Sequence, residues 1–176
     1  MAQIGRINKL KGAEDALRAF IIIKQRFPES VLWFVGAGND MYVSQLKKIA
    51  QDSGVLQSVI FYGFVSEAEK FKFLARAHLL LVPSVHEGWG LVVTEANYVG
   101  TPAIAYRVAG LQDVVQEGEN GILTSPDPSS LAEGCINLIK DPKKLHELSI
   151  TSRHIAETYD WDQTADRALS FMVKSI

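Results

Sequence analysis

Short, largely apolar runs alternate along the chain with longer segments whose apolar positions recur every three or four residues. The runs fall at 2–4, 31–35, 59–62, 79–82, 103–106 and 121–123. They are too short for helices and read as strands buried on both faces. The periodic segments fall at 13–27, 41–52, 66–75, 89–99, 128–139, 143–158 and 161–173 and predict helices. In the first of these Ala16, Ala19, Phe20, Ile23 and Phe27 share one side, and Pro28 stops it. Gly54 and Gly100 follow two others as stops. Ser66 and Glu69 form a capping-box pattern at the start of another. Strand–helix–strand repetition with continuous apolar strands predicts an α/β fold: a Rossmann-like, doubly wound parallel sheet of about six strands with helices on both faces.

No repeat, low-complexity tract or linker interrupts this pattern, so residues 1–176 read as a single domain. The first strand has few residues ahead of Gly5, where about 5–6 is typical, and reads as the clipped edge of a longer polypeptide. Of the 176 residues 47% are hydrophobic and 22% charged, ordinary values for a folded domain. Eighteen Lys and Arg against twenty Asp and Glu give a net charge of −2, too balanced for a nucleic-acid partner. A lone cysteine, Cys135, excludes an internal disulfide and a cysteine-based zinc cluster. Without an apolar run near ~18 residues or a signal-peptide core, membrane contact is not indicated and a cytoplasmic location is expected.

Ligands of an open α/β sheet bind beyond the carboxyl ends of its strands. The informative residues therefore run from Gly5-Arg6 to Lys11-Gly12, through Gly36-Ala37-Gly38 and Gly63-Phe64-Val65, from Ser84 to Gly90, and from Arg107 to Leu111. Glycine after a strand permits close backbone approach, although turn chemistry explains any single one. Gly36-Ala37-Gly38 begins like a dinucleotide fingerprint, but Met41 stands where the third glycine belongs. Walker, Gly-x-Ser-x-Gly and His-Glu-x-x-His motifs are absent, and His78, His86, His146 and His154 lack ligand spacing, so no metal is expected.

The strongest signal runs from Pro83 to Ala96: a strand end, a turn bracketed by Gly88 and Gly90, and a helix start. A helix start with little side-chain bulk is suited to phosphate. Glu87 precedes the helix and Glu95 lies eight residues on. On a straight helix that is about 12 Å, roughly the span from a sugar to a ribose across a diphosphate. Glu95 falls near Val92 on the apolar side, which suits either a surface-edge glutamate or a carboxylate accepting from ribose hydroxyls. The second signal is Lys11, whose charge opposes the dipole of the helix it precedes. Glu14 and Asp15 could offset it, or an anionic ligand could, with Arg6 as a second cation.

Gly-Arg-x(4)-Lys-Gly from Gly5, Glu-Gly-Trp-Gly-Leu-x(3)-Glu-Ala from Glu87, and Gly-Thr-Pro from Gly100 resemble the C-terminal, donor-binding half of family 4 (group 1) retaining glycosyltransferases, which have the GT-B fold. The stretch from Ala109 to Leu123 adds to the likeness, which covers Gly5 to about Ser170. The resemblance implies that Arg6 and Lys11 clamp the diphosphate of a UDP-, GDP- or ADP-sugar while Glu87 lies beside the sugar. It implies that the amides of Gly88, Trp89, Gly90, Leu91 and Val92 meet sugar hydroxyls and phosphate, and that Glu95 holds the ribose. Gly63, Phe64 and Val65 would flank the base, with Gly5, Gly36 and Gly38 along the cleft and no metal or other cofactor needed. Ala109 stands where a second glycine is expected, a change that would narrow the cleft.

The resemblance also implies an N-terminal acceptor domain, absent here, that would hold a saccharide or lipid-linked acceptor. An apolar stripe of Trp161, Ala165, Leu169, Met172 and Val173 reads as covering this domain's own sheet. The expected activity is transfer of a hexosyl group, with the isolated domain inactive alone. Two alternatives stand beside it: a non-catalytic nucleotide-sugar-binding module, and a fragment of a nucleotide-sugar epimerase.

Overall fold

The computed structural model describes residues 1–159 and 161–174, with side chains for only part of the last helix. Its strands are β1 (Ala2–Ile4), β2 (Leu32–Val35), β3 (Val59–Gly63), β4 (Leu80–Val82), β5 (Ala103–Tyr106) and β6 (Gly121–Thr124). All pair in parallel, in the order β3-β2-β1-β4-β5-β6. The sheet is therefore the Rossmann-like, doubly wound one expected from the alternation of elements. Winding reverses between β1 and β4, which share a single register pair, Ala2 with Leu80.

The helices are α1 (Ala13–Arg26), α2 (Asp40–Asp52), α3 (Glu67–Arg76), α4 (Leu91–Tyr98), α5 (Leu111–Val114), α6 (Pro128–Ile139), α7 (Pro142–Glu157) and α8 (Trp161–Lys174). Alternation along the central strands divides the core. Leu79, Leu81, Ile104 and Tyr106 face one layer, with Leu17, Phe20 and Ile23 of α1, Leu46 of α2, and Leu131 and Cys135 of α6. Leu80, Val82, Ala103 and Ala105 face the other, with Leu74 of α3, Val93 and Ala96 of α4, and Leu111 and Val114 of α5.

The expected boundaries hold to within a residue or two, with two omissions and one instructive shift. The 3₁₀ turn Leu56–Ser58 and α5 are too short to show periodicity. The helix expected from Trp89 begins at Leu91, because Gly90 has φ 86° and cannot be helical. The capping box at Ser66 forms as expected: its amide donates to Glu69 Oε2 at 2.9 Å and the Glu69 amide donates to Ser66 Oγ at 3.3 Å. The stripe on α8 does not cover the sheet as expected, since Ala165, Leu169 and Met172 are exposed. Trp161 and Val173 have side chains outside the described residues. No helix among the described residues is long and apolar enough to cross a membrane.

A buried polar node fixes the far end of α4. Asn97 Nδ2 donates to the carbonyls of Thr101 at 3.1 Å and Asn120 at 3.2 Å. Asn120 Nδ2 donates to the Val114 carbonyl, and Ser152 Oγ of α7 to the Asn120 carbonyl. Replacing Asn97 with alanine should cost about 1–3 kcal/mol in urea unfolding, because two buried carbonyls lose a donor; a loss below about 0.5 kcal/mol would remove the node from the stability of α4.

Cys135 is fully buried, and burial pushes its thiol up from 9.0 to about 12. Folding therefore favours the protonated thiol. Its contribution is complete below pH 9 and is lost as pH rises towards about 12. The native chain should resist thiol reagents at pH 8 and react on unfolding; rapid native labelling would contradict this.

Candidate functional site

A crevice of about 350 Å³ opens where β1 and β4 part, at the carboxyl end of the sheet. Two loops build it. After β1 the chain makes a tight turn in which the Lys11 amide donates to Asn8 Oδ1 at 2.9 Å and the Gly12 amide to the Lys9 carbonyl at 3.0 Å. Gly12 then turns left-handed, φ 65°, with Pro83 packed so closely that a Cβ would lie 2.0 Å from its carbonyl oxygen. The Val85 amide donates to the Leu10 carbonyl at 3.2 Å and ties the loop after β4 to the same turn.

That apposition brings Lys11 against Glu87. Lys11 Nζ donates to Glu87 Oε2 at 2.6 Å, and the side chains are 29% and 14% exposed, so the pair is partly withdrawn from water. The acids of α1 do not neutralise Lys11: Glu14 bonds Arg18, and Asp15 accepts from the Tyr106 hydroxyl at 2.9 Å. Burial and the neighbouring Asp15 push the Tyr106 phenol well above its ordinary value, so it stays a donor. Glu87 is held from behind by the start of α5, where a Cβ on Gly110 would lie 2.3 Å from the Glu87 carbonyl oxygen. Ala109 is exposed and does not line the crevice, contrary to the narrowing expected there.

The other wall is the start of α4. The Val93 amide donates to the Gly90 carbonyl at 2.8 Å, and the amides of Leu91 and Val92 ahead of it have no carbonyl one turn back. Gly5, Lys11, Glu87, Gly88, Trp89, Gly90, Leu91 and Val92 thus line one hollow. A cation, an acid and a helix N-terminus meet there, an arrangement suited to an anion carrying hydroxyl groups.

The remaining expected residues lie around this hollow rather than in it. Ile7 is buried and its amide donates to the Ala37 carbonyl, which turns its neighbour Arg6 outward. Arg6 lies on an adjoining depression with Gly38, and its side chain has no ion pair or hydrogen bond among the described residues. Gly36 packs on Gly5, where a Cβ would lie 2.0 Å from the Gly5 carbonyl oxygen, and its amide donates to the Gly63 carbonyl. Gly63 ends the edge strand, Phe64 beyond it is 84% exposed, and Val65 is half-buried. Glu95 does not line the crevice; it points to Lys70 of α3, whose Nζ donates to Glu95 Oε1 at 2.7 Å. The straight-helix spacing from Glu87 to Glu95 does not apply, because residues 87–90 are loop.

Two residues near the site, Lys70 and Gln3, escape a reading by motif. Gln3 lines the crevice floor with Ser84, each 2% exposed, and Gln3 Oε1 has no hydrogen-bond partner among the described residues. A glutamine in the middle of an apolar central strand was the available signal.

The family model described as "Glycosyl transferases group 1" matches residues 1–155. A D-inositol 3-phosphate glycosyltransferase of Catenulispora acidiphila is 34% identical over 94% of this chain and 42% of its own length. A glycogen synthase of Mycobacterium tuberculosis is 29% identical over 92% of this chain and 39% of its own. The chain thus spans less than half the length of these curated relatives. Among solved structures, HepE of Anabaena in complex with UDP-glucose superposes with a TM-score of 0.86 at 24% identity, over 99% of this chain and 48% of that one. The C-terminal domain of a group 1 glycosyl transferase from Francisella tularensis superposes with a TM-score of 0.81 at 23% identity, over 90% of this chain and 84% of that one.

The Lys11–Glu87 contact should register in a double-mutant cycle. Lys11→Met and Glu87→Gln are each expected to lower unfolding stability by about 1 kcal/mol, with the double variant losing less than their sum by about 0.5–1 kcal/mol. Strict additivity would mean that the two side chains do not interact in solution.

Proposed function

The chain belongs to the glycosyl transferases of group 1, and from that premise we propose that it is the donor-binding part of a retaining, family 4 enzyme that moves a hexosyl group from a nucleotide-diphosphate sugar to a saccharide or lipid-linked acceptor. The observation that carries the reading is the crevice between β1 and β4, where Lys11, Glu87 and the open first turn of α4 converge. Complexes of HepE with UDP and with UDP-glucose support the donor class. The acceptor is held by a further domain, since the relatives are more than twice as long, and this chain alone binds donor without transferring it. A buried free thiol suits a reducing compartment, and we place the reaction in the cytoplasm.

In this reading the diphosphate lies against the α4 start and draws Lys11 from Glu87, while Arg6 reaches in from its solvent-exposed position. As the bond from the anomeric carbon to the diphosphate breaks, its electron pair passes to the phosphate oxygen. The two cations and the open amides then meet a charge that grows in the transition state. The positive charge does not have to come from a metal. Glu87, released from Lys11, turns to the sugar, orients its hydroxyls and stabilises positive charge at the anomeric carbon; it is not assigned as a covalent nucleophile. Glu95 accepts from the ribose, and Phe64 and Val65 flank the base.

Calorimetric titration of the chain with UDP, GDP and ADP tests the reading. One of the three should bind, equally well with and without EDTA, and Lys11→Ala should weaken it about tenfold or more through loss of a charge-assisted contact. Absence of binding by all three would overturn the proposal, and loss of binding in EDTA would overturn its metal-free form.

A further inference from the structure

Lys70 belongs to none of the motifs that define the site, yet it holds one of its acids. It lies on the second turn of α3, and its amide donates to the Ser66 carbonyl at 2.9 Å. Ser66 is the cap that directly follows Gly63, Phe64 and Val65. From there Lys70 Nζ reaches across to α4 and donates to Glu95 Oε1 at 2.7 Å. Glu67 is a poorer partner, 3.9 Å away with its side chain 79% exposed. Glu95 Oε2 receives no hydrogen bond among the described residues.

We infer that Lys70 is the positioning residue of the ribose subsite: it fixes the Glu95 carboxylate so that Oε2, and the second lone pair of Oε1, are presented to the vicinal hydroxyls of the nucleotide. The inference rests on the assignment of Glu95 to the ribose. A long glutamate side chain at the edge of a helix samples several rotamers, and binding a diol would require one of them to be frozen. Lys70 freezes it in advance. Because Lys70 rises from the helix that Ser66 caps, the turn expected to flank the base and the acid expected to meet the ribose are parts of one rigid unit. Base and sugar recognition are thereby held in register. The two side chains are only 23% and 27% exposed, so urea unfolding of each variant accompanies the titrations and separates a loss in the site from a loss in the fold.

The test compares whichever of UDP, GDP and ADP binds the chain most tightly with its 2′,3′-dideoxy analogue. The unaltered chain should prefer the ribonucleotide. Lys70→Met should weaken the ribonucleotide about 3- to 10-fold, the scale of one positioned hydrogen bond, and leave the dideoxy analogue unchanged. Lys70→Arg should restore most of the preference, and Lys70→Met with Glu95→Gln should lose no more than Glu95→Gln alone. An equal loss for both nucleotides, or a double variant that loses the product of the single effects, would overturn the role of Lys70. If Glu95→Gln abolishes the preference while Lys70→Met does not, only the role of Lys70 falls. If Glu95→Gln leaves the preference intact, the ribose assignment itself falls, and the inference with it.

Discussion

Two loops of this chain touch at a point where no methyl group fits, and the site depends on that contact. Gly12, at the entrance to α1, sits with its α-carbon against the carbonyl of Pro83, the residue that follows β4. Only glycine satisfies both the left-handed turn and the missing volume. The contact comes from neighbouring strands, so it is cheap for the sheet to provide, and the backbone bond from Val85 to Leu10 fastens it. Lys11 and Glu87 are far apart in sequence and adjacent in space for this reason alone. Gly110 repeats the device from the other side, pressing the start of α5 on the Glu87 backbone.

Both acids of the Glu-x(7)-Glu segment have a lysine, each from a different element: Lys11 from the loop after β1, and Lys70 from α3. Charge is thus balanced locally on each side of α4. A carboxylate at a half-buried position costs little when a cation meets it and a good deal when none does. The arrangement sets a condition on any anionic ligand near Glu87, which must compete with that carboxylate for Lys11. Near Glu95 the condition is milder, since a neutral hydroxyl can donate to the free oxygen without displacing Lys70.

Much of this was legible in the sequence, and the exceptions have physical causes. The central strands are buried on both faces, so their apolar runs stand out, and the long helices announce themselves by period. Gly90 defeated the period: the apolar pattern runs through it, but its backbone angle delays the start of α4 to Leu91 and leaves residues 87–90 as loop. The pairing of Lys11 with Glu87 spans 76 residues and depends on strand order, which no local pattern encodes. Burial of Ile7 decides which way its neighbour Arg6 faces, and a pattern of charges along the chain does not encode that. Lys70 reads as an ordinary surface lysine on a charged helix until α3 and α4 are packed together. Asn97 and Asn120 form a buried node that no motif in the sequence marks.

The single register pair between β1 and β4 explains why the crevice lies where it does. Beyond Ala2 and Leu80 the two strands diverge, and the sheet opens before its edge is reached. Elsewhere the carboxyl ends stay closed: Gly36 bonds Gly63, and Arg107 bonds Thr124 through the backbone. Gln3 adds a polar group to this opening: its Oε1 lies buried at the crevice floor with no hydrogen-bond partner among the described residues. A hole with apolar walls would close by collapse or stay dry. A hole with a lysine, a glutamate, a carboxamide oxygen and open helix amides on its walls gains by being filled with something polar. Separation of the strands thus creates the space, and the residues the chain places there determine that what fills it carries charge and hydroxyl groups.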